Sequence, residues 1–239
     1  MSKRYRRARH KLVQSLLEKL DADFLRQARC YFGGGTRIVL ELDEYRESAD
    51  VDLLCSNRDG YRELRSAVTP TSLGRIARGQ IALAREIASD IYGIRTFIDI
   101  DGEKIKFEIV HEARIDLNGV DLPDVPVSCL DQRTCFAEKF LANADRWADR
   151  SVLSRDAIDL AFMLNAWSQD VARQGFEDAR AAYGDAVERD LKLAVQKLLE
   201  DKEYLKRCAG GLSITQNDIL LKGLQRLRSW KLPQRPLPL

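Results

Sequence analysis

Histidine is nearly absent from this chain: His10 and His111 are the only two among 239 residues. A zinc site built from several histidines is thereby excluded, so any metal here must be held by carboxylates. Cysteine is scarce and odd in number. Cys30, Cys55, Cys129, Cys135 and Cys208 form neither a CxxC pair nor an evenly paired disulfide framework. A reducing cytoplasm is the expected setting, and Cys55 is the one thiol to check for reactivity. No run of about 18 uncharged apolar residues occurs, so no spanning helix and no membrane partner are expected. The basic start, Lys3-Arg4-Tyr5-Arg6-Arg7, has no apolar segment behind it that would make a secretory signal.

Net charge is small as well, 39 Lys+Arg against 37 Asp+Glu, but it is unevenly spread. Residues 1–11 carry six Lys/Arg and no acid, and five more follow Asp218 with no acid after it. The body between them, residues 12–218, is left with 28 basic and 37 acidic groups, a net of −9. An acidic body with basic ends is expected, the ends being either solvated tails or contacts for a polyanion.

Apolar spacing predicts an amphipathic helix over residues 10–30 and, after Gly33-Gly34-Gly35, a short helix from Thr36 to Leu42. Residues 49–54 alternate as a strand. A helical stretch is expected over 58–92, interrupted near Pro70. Ile94–Ile100, an Asp101-Gly102 turn and Lys104–His111 read as a hairpin. From about residue 129 the pattern is helical only, with four stripes: one through Phe136 and Phe140, one through Ile158 and Phe162, one through Leu191 and Val195, and one over Leu212–Trp230. An α+β unit over 1–128, a helical unit over 129–232 and a Pro-rich tail at 233–239 are therefore expected.

The chemistry concentrates in two short segments. In Asp50-Val51-Asp52, residues i and i+2 of a strand share a face, so both carboxylates converge while Val51 and Leu53 enter the core. Two carboxylates on one face repel unless a cation joins them, and a Mg²⁺-type ion suits their hard oxygens. Fourteen residues earlier, Gly33-Gly34-Gly35-Thr36 leads into a helix start, whose exposed N–H groups and dipole favour phosphate. Each alone has a bland reading, a plain turn or edge charge; together they point to phosphoryl or nucleotidyl transfer. In Lys104–Ile109, Ile105, Phe107 and Ile109 share one face and Glu108 takes the other. There it is either a third carboxylate for the metal or a cross-strand partner for a lysine.

Gly34-Gly35-Thr36, then Arg46-Glu47-Ser48-Ala49-Asp50-Val51-Asp52, then a carboxylate on a later strand, resembles the DNA polymerase β nucleotidyltransferase superfamily. Glu138-Lys139-Phe140-Leu141-Ala142, Arg146 and Arg155-Asp156-Ala157-Ile158-Asp159-Leu160 narrow the likeness to the AbiEii/AbiGii toxin nucleotidyltransferases of abortive-infection and toxin–antitoxin systems. The resemblance spans residues 30–165. It departs in a longer interval from Gly35 to Asp50, in Arg37 where a small residue is usual, and in Glu108 where many relatives carry Asp.

The resemblance implies a small mixed β-sheet with flanking helices followed by a helical bundle. It implies Mg²⁺, or Mn²⁺ in its place, on Asp50, Asp52 and Glu108, with Glu108 alternatively a base. Gly34, Gly35 and Thr36 would grip an NTP's phosphates, helped by Ser48 and Arg46. Lys139 would offset triphosphate charge, and Asp156 or Asp159 would orient it or activate the acceptor. Locally, Lys139 sits at the margin of its helix's buried face, and Ser154 is a candidate N-cap for the next helix. An RNA acceptor, such as a tRNA end, and a cognate antitoxin are the implied partners. A small-molecule nucleotidyltransferase of the antibiotic-modifying kind and a catalytically silent binding protein of the same fold remain as alternatives.

Overall fold

The computed structural model describes residues 5–230, and the Pro-rich tail lies outside them. The chain divides into two compact units, Met1–Asp131 and Gln132–Leu239. No helix of the described residues is long and apolar enough to cross a membrane.

The first unit is built on a seven-stranded mixed sheet. Its strands are β1 (Cys30–Phe32), β2 (Val51–Cys55), β3 (Ala88–Ser89), β4 (Gly93–Ile100), β5 (Glu103–His111), β6 (Gly119–Val120) and β7 (Cys129–Leu130), in the order β3-β4-β5-β2-β1-β7-β6. Pairs β2/β5 and β1/β7 are parallel, and the rest are antiparallel. Helices α1 (Ala8–Glu18), α2 (Ala22–Gln27), α3 (Gly34–Glu41) and α4 (Arg58–Ala67) accompany it. Val51, Leu53, Ile94, Ile98, Ile105, Phe107 and Ile109 join Leu16, Leu17, Leu20, Phe24 and Leu25 in one core. Strand alternation then sends Asp52 and Glu108 to the opposite face.

Three expected elements are re-cut by local chemistry. The single helix over 10–30 is two, because Asp21 accepts the N–H of Phe24 at 2.9 Å and starts α2 afresh. Helix α4 ends at Ala67, since Pro70 lacks an amide hydrogen and holds the preceding residue extended. Residues 68–87 follow as irregular chain with one 3₁₀ turn at Gly74–Ile76. The helix-only stretch begins after β7, not at residue 129, because β7 pairs with Phe32 and belongs to the first unit. The hairpin forms as expected, with both turn residues at positive φ (Asp101 54°, Gly102 84°).

The second unit contains α5 (Gln132–Arg146), α6 (Arg155–Ala166), α7 (Gln169–Tyr183), α8 (Ala186–Glu200), α9 (Lys202–Gly211) and α10 (Asn217–Ser229). Sequence spacing misses α7 and α9 for a physical reason. The buried residues of α7 are Phe176 and three small ones, Ala172, Gly175 and Ala179, which leave no Leu/Ile stripe, and α9 buries only Tyr204 and Cys208. Ser154 does not cap α6. Leu153 and Ser154 are both left-handed (φ 55° and 48°), and the Ser154 hydroxyl pairs with the Tyr204 hydroxyl at 2.9 Å.

Candidate functional site

Register places a polar row across three neighbouring strands. Asp52 lies directly beside Glu108 in the parallel β2/β5 pair, and Glu108 lies opposite Arg95 in the β4/β5 hairpin. Both Glu108 oxygens are engaged: Oε1 accepts from Arg95 Nε at 2.7 Å and Oε2 from Lys106 Nζ at 2.6 Å. Burial alone would push the Glu108 carboxyl up, but Lys106 and Arg95 outweigh it and hold it below the usual range. Burial likewise works against the Lys106 ammonium. Glu108, then Asp52 and Asp50, reverse this and raise its pKa, so both aspartates lie within electrostatic reach of Lys106.

Asp50 and Asp52 are partly exposed carboxylates, a donor set that suits Mg²⁺, which keeps several waters and takes further oxygens from substrate phosphates. Among the described residues no three His, Cys, Asp or Glu side chains gather at metal-holding spacing. The sequence brings Glu108 to the right strand and the right face, but the structure ties it to two cations.

The glycine turn adjoins this row. Gly33 N–H donates to the Asp52 carbonyl at 2.8 Å, and Gly34 (φ 67°) starts α3 against the Asp52 side chain. A Cβ on Gly34 would fall 2.4 Å from Asp52 Oδ2, and one on Gly35 would fall 2.3 Å from an Arg46 guanidinium nitrogen. Glycine at these two positions is what lets a carboxylate and a guanidinium touch the first turn of a helix. Helix-start N–H groups have no intrahelical acceptor, and this end carries the positive dipole. Thr36 is buried and its hydroxyl meets the Ser48 hydroxyl at 2.9 Å, so it braces the following loop. Arg37 is also buried, ion-paired to Glu41 one turn along at 2.5 Å.

Between Gly35 and Asp50 the chain turns at Asp43 and Glu44, consecutive left-handed residues (φ 60° and 53°). Glu44 is buried and held from the N-terminal segment: it accepts the Arg6 N–H at 2.8 Å, the Arg7 N–H at 3.0 Å and His10 Nδ1 at 2.8 Å. Burial would raise its carboxyl, but these donors bring it down to about 2. Arg6 also pairs with Asp43 and Arg7 with Glu47. Part of the basic N-terminus is thus docked on this unit and is not a solvated tail.

The helical unit carries a second cluster. Lys139 on α5 is buried, and its ammonium lies 2.8 Å from Asp156 Oδ1 and 2.7 Å from Asp159 Oδ2, both buried on α6. Arg146 closes the set, donating Nε to Asp156 Oδ2 at 2.7 Å and Nη2 to Oδ1 at 3.0 Å. Two cations balance two carboxylates. Burial would push the Asp156 carboxyl up; Lys139 and Arg146 overcome it and hold it well below the usual range. The i,i+3 spacing of the two aspartates directs both to one lysine.

Across residues 15–221 the chain matches the family described as "Nucleotidyl transferase AbiEii toxin, Type IV TA system". The chain belongs to this family. No curated protein and no solved structure matches it. The AbiEii match encloses the glycine turn, the paired aspartates, Glu108 and the Lys139 cluster, while His10 and its neighbours Arg6 and Arg7 precede it.

Sequence reasoning named the carboxylates and Lys139 as candidates and gave no role to Lys106, Arg95, His10 or Glu44. Lys106 was legible as the i−2 neighbour of Glu108 on one strand face, and Arg95 follows once the hairpin register is counted. Nothing local marks Glu44, whose partners lie 34 and more residues away. Cys55 is fully buried, its thiol donates to the Ala28 and Asn57 carbonyls, and burial pushes its pKa up to about 11, the setting of an unreactive thiol.

Proposed function

We propose that this chain transfers a nucleoside monophosphate from an NTP to an acceptor hydroxyl, releasing pyrophosphate, as the toxin of a toxin–antitoxin pair. The observation that carries this reading is the contact of the Asp52 carboxylate with Gly34 at the start of α3. A carboxylate pair able to hold a divalent cation thus adjoins a helix N-terminus able to hold phosphate.

In this reading Asp50 and Asp52 hold Mg²⁺ or Mn²⁺, which when bound offsets phosphate charge. The N–H groups of Gly34, Gly35 and Thr36 receive the phosphates, and the Arg46 guanidinium, resting on Gly35, adds positive charge to that turn. Ser48 braces Thr36. Glu108 serves as the anchor of Lys106 and Arg95, keeping two cations on the carboxylate face. In the helical unit, Asp156 and Asp159 fix the Lys139 ammonium. RNA, including a tRNA acceptor end, is the proposed acceptor class, and a cognate antitoxin the proposed partner.

The test is transfer of label from each of the four α-³²P-NTPs, with Mg²⁺ or Mn²⁺, to total RNA, protein and small aminoglycoside-type acceptors. Labelled RNA with wild type and none with Asp50→Ala is the expected result. Labelling of small acceptors alone would move the reading to a small-molecule nucleotidyltransferase. No labelling of any acceptor would overturn it.

A further inference from the structure

His10 is fully buried on α1, and both of its ring nitrogens are used. Nδ1 lies 2.8 Å from Glu44 Oε1, and Nε2 lies 3.3 Å from the backbone nitrogen of Ser48. A carboxylate accepts and a backbone N–H donates, so one arrangement satisfies both: the neutral imidazole with its proton on Nδ1. The ring therefore ties the two ends of the loop over residues 44–48. That loop carries Arg46, which rests on Gly35, and Ser48, whose hydroxyl meets Thr36. Arg6 and Arg7 fix the other side of Glu44 through their backbone N–H groups.

We infer that His10 is a positioning residue for the phosphate-binding turn, holding the Arg46–Ser48 loop against the start of α3 through Glu44 on one side and the Ser48 N–H on the other. The inference rests on the nucleotidyltransferase reading above and adds to it a residue outside the family match. His10 touches no substrate in this role; it acts through Ser48 and Arg46. Protonation would break the tie, because an imidazolium presents N–H on Nε2 to another N–H. Three charged groups act on the ring: Glu44 and Glu47, which favour the proton, and Arg7, which opposes it. Burial outweighs the two acids and holds the imidazole pKa below its ordinary value, keeping the ring neutral at pH 7.

Three variants and one measurement on the wild type test this. Losing a single oriented hydrogen bond predicts that His10→Ala raises the KM for the accepted NTP about tenfold with kcat changed much less. His10→Gln, whose amide oxygen takes the place of Nε2, should recover most of that loss. His10→Asn, which restores only the donor to Glu44, should not. Long-range ¹⁵N–¹H NMR of the wild type at pH 7.5 should show the Nδ1–H tautomer, and the KM should climb on acidification past the ordinary imidazole range. An Nε2–H tautomer or an imidazolium at pH 7.5 overturns the inference, and this holds even if His10→Ala fails to fold. A folded His10→Ala variant with wild-type KM overturns it too. A wild type inert toward every NTP overturns nucleotidyl transfer itself, a different outcome from an active wild type indifferent to His10.

Discussion

Removing the Lys139 ammonium should unfold the helical unit before it reveals anything about catalysis. In Lys139→Met the stem is kept and the charge is lost. Asp156 and Asp159, buried with 3% and 0% side-chain exposure, both lose this cation, and Asp156 keeps Arg146. Breaking a buried pair by deleting one partner costs about 3–5 kcal/mol, since a carboxylate stays buried without its counter-charge. For a chain of this size each kcal/mol lowers Tm by about 2–4 °C, so a drop of about 6–20 °C is expected.

The pH dependence sharpens the test. In the wild type the folded-state pKa of Asp156 is depressed, so its stabilisation is present above the ordinary carboxylate range and is lost as pH falls through it. In Lys139→Met the buried carboxyls lose a cation that favours their ionised form, so their pKa values rise and stability is regained as pH falls. The two Tm-against-pH curves should therefore converge between pH 7 and pH 5, and Lys139→Met combined with Asp159→Asn should recover most of the loss. Thermal unfolding followed by far-UV circular dichroism reads all of this. A Lys139→Met variant within about 1 °C of wild type, or a deficit that does not shrink on acidification, would refute the argument. A toxicity assay of Lys139→Ala alone would confuse lost folding with lost chemistry.

Gly34→Ala places a methyl 2.4 Å from Asp52 Oδ2 at a φ of 67°. A displacement of that order at a reacting carboxylate should lower label transfer about 100-fold, while circular dichroism shows the fold retained. Glu108→Gln should weaken Mn²⁺ binding, read by electron paramagnetic resonance, less than about tenfold, while Asp52→Asn abolishes it; equal losses would make Glu108 a ligand after all. Its cost in Tm should be small, because Arg95 and Lys106 are 40% and 41% exposed and solvent screens the pairs. Glu44, at about 2 against an ordinary 4.5, should add about 3 kcal/mol above pH 5. That contribution is lost as pH falls toward 2, and Glu44→Gln should flatten the acid limb of urea unfolding.

What the chain disclosed in advance was set by range. Period-two alternation predicts a strand over 49–54 and places Asp52 on β2, whereas Asp50 lies just before that strand's first residue, Val51; the hairpin follows from its Asp101-Gly102 turn. Lys139, Asp156 and Asp159 were named through family likeness; their packing into one buried four-charge set depends on α5 meeting α6 and has no local mark. Glu108 was placed on the correct face, but whether it greets a metal or a cation turned on Arg95, thirteen residues away across a hairpin. The Glu44 cradle needed a contact between residues 6–10 and residue 44, which no spacing rule encodes. Helix α7 was hidden because, apart from Phe176, its buried face is alanine and glycine.

All five thiols are free and buried, three in the first unit (Cys30, Cys55, Cys129) and two in the second (Cys135, Cys208). The protein therefore carries its own unlabelled clock of local opening. A thiol reagent can react only when the segment around each cysteine parts, so the modification rate of each reports the opening free energy of its surroundings. Mass spectrometry of quenched samples would resolve the two groups. NTP with Mg²⁺ should slow labelling of Cys55, the last residue of the Asp52 strand, and a loosened Lys139 cluster should speed Cys135 first.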